Sequence, residues 1–132
     1  MRAKAAKELR GAAVLSGHLL PYVVPASKLK RVVVLRCDPS TLKRRLEERK
    51  YADSKVVQNV QAELIGVVSA ESFGRFGAKA SEYDTSRTSP AEAAKDITGV
   101  FKGRRPAMGR IDWTVAYDSA AKLGSLFSEG SL

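Results

Sequence analysis

Apolar positions in this chain fall into short runs separated by polar and basic stretches. The densest run, Val32-Val33-Val34-Leu35, stops at Asp38-Pro39 and gives way at once to a helical pattern. An apolar run without alternation predicts a strand buried on both faces, as in a parallel sheet covered by helices. Asp38 suits an N-cap, and Pro39 suits the first helical position, where a missing N–H costs nothing. Leu42 and Leu46 give that helix one apolar stripe, while Lys43, Arg44, Arg45 and Arg49 make the rest basic. A second start at Asp53 leads into Val56, Val60, Leu64 and Val67 or Val68 at helical spacing, and fades around Phe73-Gly74-Arg75-Phe76-Gly77. Strand, basic helix, short break and second helix is the layout of a lid over phosphates.

The remaining elements are placed around this unit. Arg2 to Arg10 is rich in alanine and lysine and reads as a helix stopped by Gly11. Ala12 to Leu15 reads as a short buried strand, and Leu19 to Val24, with Pro21 inside it and Pro25 after it, as a loop or a turn of helix. Ser81 to Thr85 is a weak strand. Ser89 then caps a helix from Pro90 to Phe101, supported by Glu92, that buries Ala93, Ala94, Ile97 and Val100 or Phe101. A basic linker follows from Gly103 to Gly109. Ile111-Asp112-Trp113 opens a last amphipathic segment with Val115, Tyr117 and Leu123, and the end, SLFSEGSL, reads as frayed. This order of elements predicts an α/β fold with a parallel sheet.

Charge sharpens the picture. The net charge is +9, and residues 1–50 hold 13 Lys and Arg against 4 Asp and Glu, whereas residues 51–132 hold 10 of each. A basic half invites a polyanion, either nucleotide phosphates or RNA, although a merely basic soluble protein fits as well. The single Cys37 excludes an internal disulfide and fits a reducing compartment. With no stretch long and apolar enough for a membrane helix, and no secretory pattern in Met1–Leu20, the expected location is the cytoplasm.

Candidate chemistry is sparse. Arg45 and Arg49, four apart on one helix face, form a clamp for a phosphoryl group or a solvated basic surface. His18 follows Ser16-Gly17 at a predicted strand end, where ligands bind in open α/β sheets, yet it fits a structural role too. Arg36 and Asp38 close the next strand. Arg36 is open to contact with a ligand, a salt bridge to Asp38, or a surface role. Arg87, in the turn before the Pro90 helix, lines a base or ribose pocket or stands exposed. Trp113 with Tyr117 reads as a packing anchor rather than a nucleic-acid stacking platform. One Cys and one His build no zinc site or nucleophilic triad, so no metal ligands are assigned.

The segment VVVLRCDPSTLKRRLEERKYADSKVVQNVQAEL, Val32 to Leu64, resembles the CINAP-like adenylate kinases of the ribosome-assembly type, known from archaea and eukaryotes. The shared lid motif falls on Leu35, Arg36, Asp38, Leu42, Arg45, Leu46, Arg49, Tyr51, Asn59 and Glu63. Gly17-His18 after Ala13-Val14-Leu15 is similar to the family's Walker B-like strand end. Asp84 to Ala93 is similar to its adenine loop, and Ile111-Asp112-Trp113 to its archaeal tail. The likeness covers Ala12 to Phe101. It implies phosphoryl transfer from ATP to AMP with Mg²⁺, and a part in small-subunit maturation through a ribosomal protein. It implies that Arg49 and Arg45 stabilise the transferring phosphates, with His18 near the catalytic strand end. Ser86 and Arg87 would border the adenine, and Arg36 would contact the nucleotide.

Three positions depart from that pattern. No glycine is followed by lysine, so the G-x-x-x-x-G-K-[ST] loop that cradles phosphates is absent from the chain. Ser16 stands where an acid is expected, and Lys50 replaces the glycine of the lid turn. The expected architecture is thus a nucleotide-kinase-like parallel sheet flanked by helices, lacking its first, central strand. It divides into a partial kinase-like domain over 1–103, with its lid at about 39–70, and a linker and tail over 104–132. Three explanations stay open. They are a start internal to a longer frame, a second chain that supplies the strand, and a degenerate relative that docks a ribosomal protein or rRNA through its basic first half. On its own, this chain is expected to be inactive.

Overall fold

The computed structural model describes the backbone of residues 4–9 and 12–16, and residues 27, 29–103 and 110–127 in full. Strand β3 (Val32–Arg36) pairs in parallel with β4 (Ala80–Asp84), in the register Val32↔Ala80 to Arg36↔Asp84. Between them run three helices, α1 (Pro39–Glu48), α2 (Asp53–Ile65) and α3 (Val67–Phe76), the last packed across both strands. A single 3₁₀ turn, Gly77–Lys79, returns the chain to β4. After it come α4 (Pro90–Phe101), the short α5 (Trp113–Ala116) and α6 (Ala120–Phe127). This is an α/β fold with a small parallel sheet flanked by helices, as the apolar pattern predicts.

Local signals explain the element starts. The Asp38 carboxylate accepts the Ser40 N–H at 2.9 Å, capping α1 directly before Pro39. Ser89 and Glu92 close a reciprocal capping box on α4, which runs over the predicted Pro90–Phe101. Gly66, at φ +79°, separates α2 from α3. The predicted single helix is therefore two, since a left-handed residue ends one helix and turns the chain into the next. Gly74, read as a breaker, lies inside α3; Gly77, at φ +57°, ends it.

Several expectations are corrected. Residues 4–9 form a strand, β1 (Lys4–Leu9), not a helix, and pair antiparallel with β2 (Ala12–Ser16). Helix propensity is a weak prior, and the cross-strand pairing from Lys4↔Ser16 to Leu9↔Ala12 overrides it. The predicted strand at Ala12–Leu15 thus exists, paired with β1 rather than within the parallel sheet. Nor is β3 buried on both faces: Val34 is buried, but Leu35 is 58% exposed. Among the described residues β3 has β4 as its one neighbour, so a second edge of apolar strand stays unpaired. On α4, Ala94 is exposed and Val100 takes the buried position. Leu126, within the stretch read as frayed, is 1% exposed. The expectations for Leu19–Val24, Gly17-His18 and Gly11 lie outside the described residues.

The apolar core sits between α1, α2 and α6. Leu46 of α1, Val56 and Val60 of α2, and Leu126 of α6 form one buried cluster, ringed by Leu42, Leu64, Tyr117 and Phe127. The last helix thus packs directly on α1 and α2. Among the described residues, no helix is long and apolar enough to cross a membrane.

Helix α1 ends in a Schellman turn, with the Tyr51 N–H on the Leu46 carbonyl (3.2 Å) and the Lys50 N–H on that of Glu47 (2.9 Å). Lys50 occupies the left-handed position at φ +60°, where an L side chain is strained. That conformation costs about 1–2 kcal/mol, and glycine gives back about 0.5–1 kcal/mol in the unfolded chain. Lys50→Gly is therefore expected to stabilise the protein by about 0.5–1 kcal/mol, read from urea midpoints; a destabilisation would mean that the turn is not strained.

Candidate functional site

The loops that leave β3 and β4 emerge side by side at the carboxyl ends of a parallel pair, the position where α/β sheets bind ligands. One loop carries Cys37 and Asp38 into α1; the other carries Thr85, Ser86, Arg87 and Thr88 toward α4. They are stitched together. The Asp38 N–H donates to the Ser86 hydroxyl (2.7 Å), and the Thr85 N–H donates to the Arg36 carbonyl (2.7 Å). Asp84 accepts the Ser86 N–H at 2.8 Å and its hydroxyl as well. The Thr88 hydroxyl is buried without a partner, an orphaned donor and acceptor suited to a polar ligand atom.

Arg45 does not project into open space. Its guanidinium bonds the Thr85 carbonyl (2.8 Å), the Thr85 hydroxyl (3.3 Å), the Ser86 carbonyl (3.3 Å) and Cys37 Sγ (3.4 Å), tying α1 to the β4 loop. Arg49 stands exposed at the end of α1. Ser86 is half-buried between the loops, and Arg87 is exposed beside it. Cys37 is a buried free thiol, and burial pushes its pKa up.

Beneath the loops lies a buried ionic network. Arg36, 2% exposed, pairs with Glu63 of α2 at 2.7 Å and with Glu82 of β4, and also bonds Ser69 of α3 and the Ile111 carbonyl. It makes no bridge to Asp38 and has no surface role. Burial works against its charge, but the two carboxylates outweigh it and raise its pKa. Glu63 also accepts the Cys37 N–H and the Trp113 indole N–H, the latter at 2.8 Å. Trp113 and Tyr117 are anchors, as expected, but through their polar tips: the Tyr117 hydroxyl donates to Asp38 at 2.6 Å. The roles of Glu82 and Thr85 were not singled out by sequence reasoning. The strand that holds Glu82 reads ASEYD, with no apolar run to mark that carboxylate as buried, so the sequence carried no signal for it.

Burial would raise the Asp38 pKa, but hydrogen bonds from Tyr117, Ser40 and Thr41 outweigh it and hold the carboxyl below its ordinary value. A depressed folded-state pKa adds stability above the unfolded value of about 3.9, and that stability is lost as pH falls through the lower folded value. The stability gap between the wild-type protein and Asp38→Asn should be constant from about pH 7 to 5 and close at lower pH. Equilibrium unfolding over that range checks this, and a gap that widens on acidification would contradict it.

Among the described residues no group of three or more His, Cys, Asp and Glu is placed to hold a metal ion, and the chain has no Gly-Lys pair for a phosphate cradle. These residues do not by themselves fit Mg²⁺·ATP.

Residues 1–66 match a family described as an AAA domain. The chain is 35% identical over 104 residues to a Methanocaldococcus jannaschii protein named "Putative adenylate kinase", covering 79% of this chain and 54% of that one. Proteins of the same name match from Methanothermobacter thermautotrophicus (38% over 99 residues, 75% of this chain and 56% of the relative) and Pyrococcus furiosus (36% over 114 residues, 85% and 61%). The chain spans between about half and three-fifths of the length of these relatives.

Proposed function

The chain belongs to the adenylate-kinase-like family of AAA-domain proteins, and on that premise we propose that it supplies the lid and base-binding loop of an ATP:AMP phosphotransferase. The observation that carries this reading is the junction of α1 with the β4 loop, where Arg45 holds Thr85 and Ser86. It joins a basic lid helix to a loop with an unpartnered buried hydroxyl. In this reading Ser86 and Arg87 border the adenine, and Arg49 reaches the transferring phosphates. Arg45 joins Arg49 there only by leaving Thr85 and Ser86. His18 would lie near the catalytic strand end. The lid corresponds to about residues 39–70 of a kinase-like unit over 1–103, with a tail beyond residue 104.

Phosphoryl transfer depends on positioned phosphates and on charge stabilisation in a water-poor site. The backbone cradle for those phosphates is not among these 132 residues. The unpaired edge of β3 would accept the strand that carries it, from a longer frame or from a second chain. Bound Mg²⁺ would neutralise charge on the phosphates. The family likeness extends the proposal to small ribosomal subunit maturation in the cytoplasm, with a ribosomal protein as partner.

The test is ADP formation from ATP and AMP. The 132-residue chain alone should give none above background. Added to a polypeptide with a strand followed by G-x-x-x-x-G-K-[ST], it should become active, and Arg49→Ala should then lower kcat by about 10²–10³. A complex that forms without ADP production would overturn the proposal. A second reading, docking of rRNA without catalysis, is favoured by the exposed Arg44, Arg49 and Lys50 of the lid. It predicts RNA binding that weakens steeply with salt and ignores AMP.

A further inference from the structure

The segment from Ile111 to Phe127 is anchored at four points, each of them on the lid or directly beneath the candidate site. Ile111 is gripped through its backbone, its N–H on Glu82 and its carbonyl on Arg36 at 2.9 Å. The Trp113 indole N–H donates to Glu63 of α2 at 2.8 Å. The Tyr117 hydroxyl donates to Asp38 at 2.6 Å and accepts the Ser40 N–H at 3.3 Å, so it meets α1 at its N-cap. Leu126 completes the apolar cluster of α1 and α2. Asp38 in turn donates its N–H to Ser86, which is held by Asp84.

We infer that this segment is a strap across the lid, and that Tyr117 is a positioning residue that sets the Thr85–Ser86 loop through Asp38. The path is short and directional. Tyr117 fixes the Asp38 carboxylate, which fixes the backbone turn from β3 into α1, and the N–H of that turn holds the Ser86 hydroxyl. Without the phenol, Asp38 keeps its N-cap bonds to Ser40 but loses the contact that pins it toward the strap. A lid held this way moves relative to β3 and β4 only when the strap lifts. The mechanical half of this inference stands on geometry alone, and its consequence for ligand binding rests on the nucleotide reading above.

Amide hydrogen exchange on the full chain tests it. In Tyr117→Phe, the Asp38, Ser40 and Ser86 amides should exchange at least about tenfold faster, with Val34 and Tyr83 of the sheet unchanged. Asp38→Asn should loosen the same amides, and the double variant should add nothing further, because both substitutions break one path. The emission of Trp113, the sole tryptophan, should shift in Tyr117→Phe if the strap moves as one unit. Acceleration confined to Ser40, uniform acceleration that includes Val34 and Tyr83, or additive variants would each overturn the strap. AMP is the ligand probe. If exchange behaves as expected but AMP, added to the chain joined by a strand and phosphate loop, protects no amide in residues 84–88, the nucleotide reading fails and the strap stands. If AMP protects them equally in wild type and Tyr117→Phe, with exchange unchanged by the variant, the strap fails and the nucleotide reading stands.

Discussion

Arg36→Met should cost about 3–5 kcal/mol of stability, the largest effect of any single substitution considered. The side chain is 2% exposed, and the carboxylate it leaves behind on Glu82 is completely buried. Methionine fills a similar volume, so the loss is electrostatic: a buried carboxylate without its counter-charge must be solvated or protonated. The network also joins β3 to four other parts of the chain, since Arg36 meets Glu63, Ser69, Glu82 and Ile111. A domain of this size has about 5–15 kcal/mol in total, so partial unfolding at room temperature is an acceptable outcome. The control is Arg36→Met combined with Glu63→Gln and Glu82→Gln, which removes the stranded charges and should recover part of the loss. Denaturant unfolding decides it. A cost below about 1 kcal/mol for Arg36→Met would mean that the pair contributes as little as a surface salt bridge.

Leu126→Ala should cost about 2–5 kcal/mol, as expected when a fully buried leucine is truncated and its site collapses only in part. The consequence reaches beyond the last helix, because the cavity opens among Leu46, Val56 and Val60 of α1 and α2. Leu123, on the same helix but 37% exposed, is the comparison: Leu123→Ala should cost well under half as much. Equal and small effects would mean that α6 does not dock on α1 and α2.

These two residues also mark where the sequence stops being legible. Asp38-Pro39 and Ser89-Pro90 announce their helices because capping is settled within four residues, and α4 runs over the span its cap and periodicity indicate. The β3 run was recognisable as a strand by its β-branched residues. Its burial was not, because that depends on neighbours distant in the chain. The partners of Arg36 lie 27 and 46 residues away, beyond any periodic signal. The Lys4–Leu9 strand was hidden for a related reason: helix propensity is a property of the residues, whereas pairing with Ala12–Ser16 is a property of the chain as a whole. Gly66 was readable in principle, as a glycine between two apolar runs, but unbroken helical spacing across it masked the turn. At the site, Ser86, Arg87 and Arg45 are separate candidates in the sequence. That Arg45 binds the Thr85 and Ser86 carbonyls requires the fold, since a carbonyl acceptor leaves no trace in the sequence.

The most direct measurement is an AMP titration followed by backbone amide shifts, first on the 132-residue chain and then on the chain joined by a strand and phosphate loop. The proposal predicts saturable shifts at Ser86, Arg87 and Thr88 in the complemented protein, with Lys43 and Arg44 little affected. Saturable shifts confined to the exposed basic residues of α1, produced by RNA and not by AMP, would contradict it and leave a binding protein in place of a kinase.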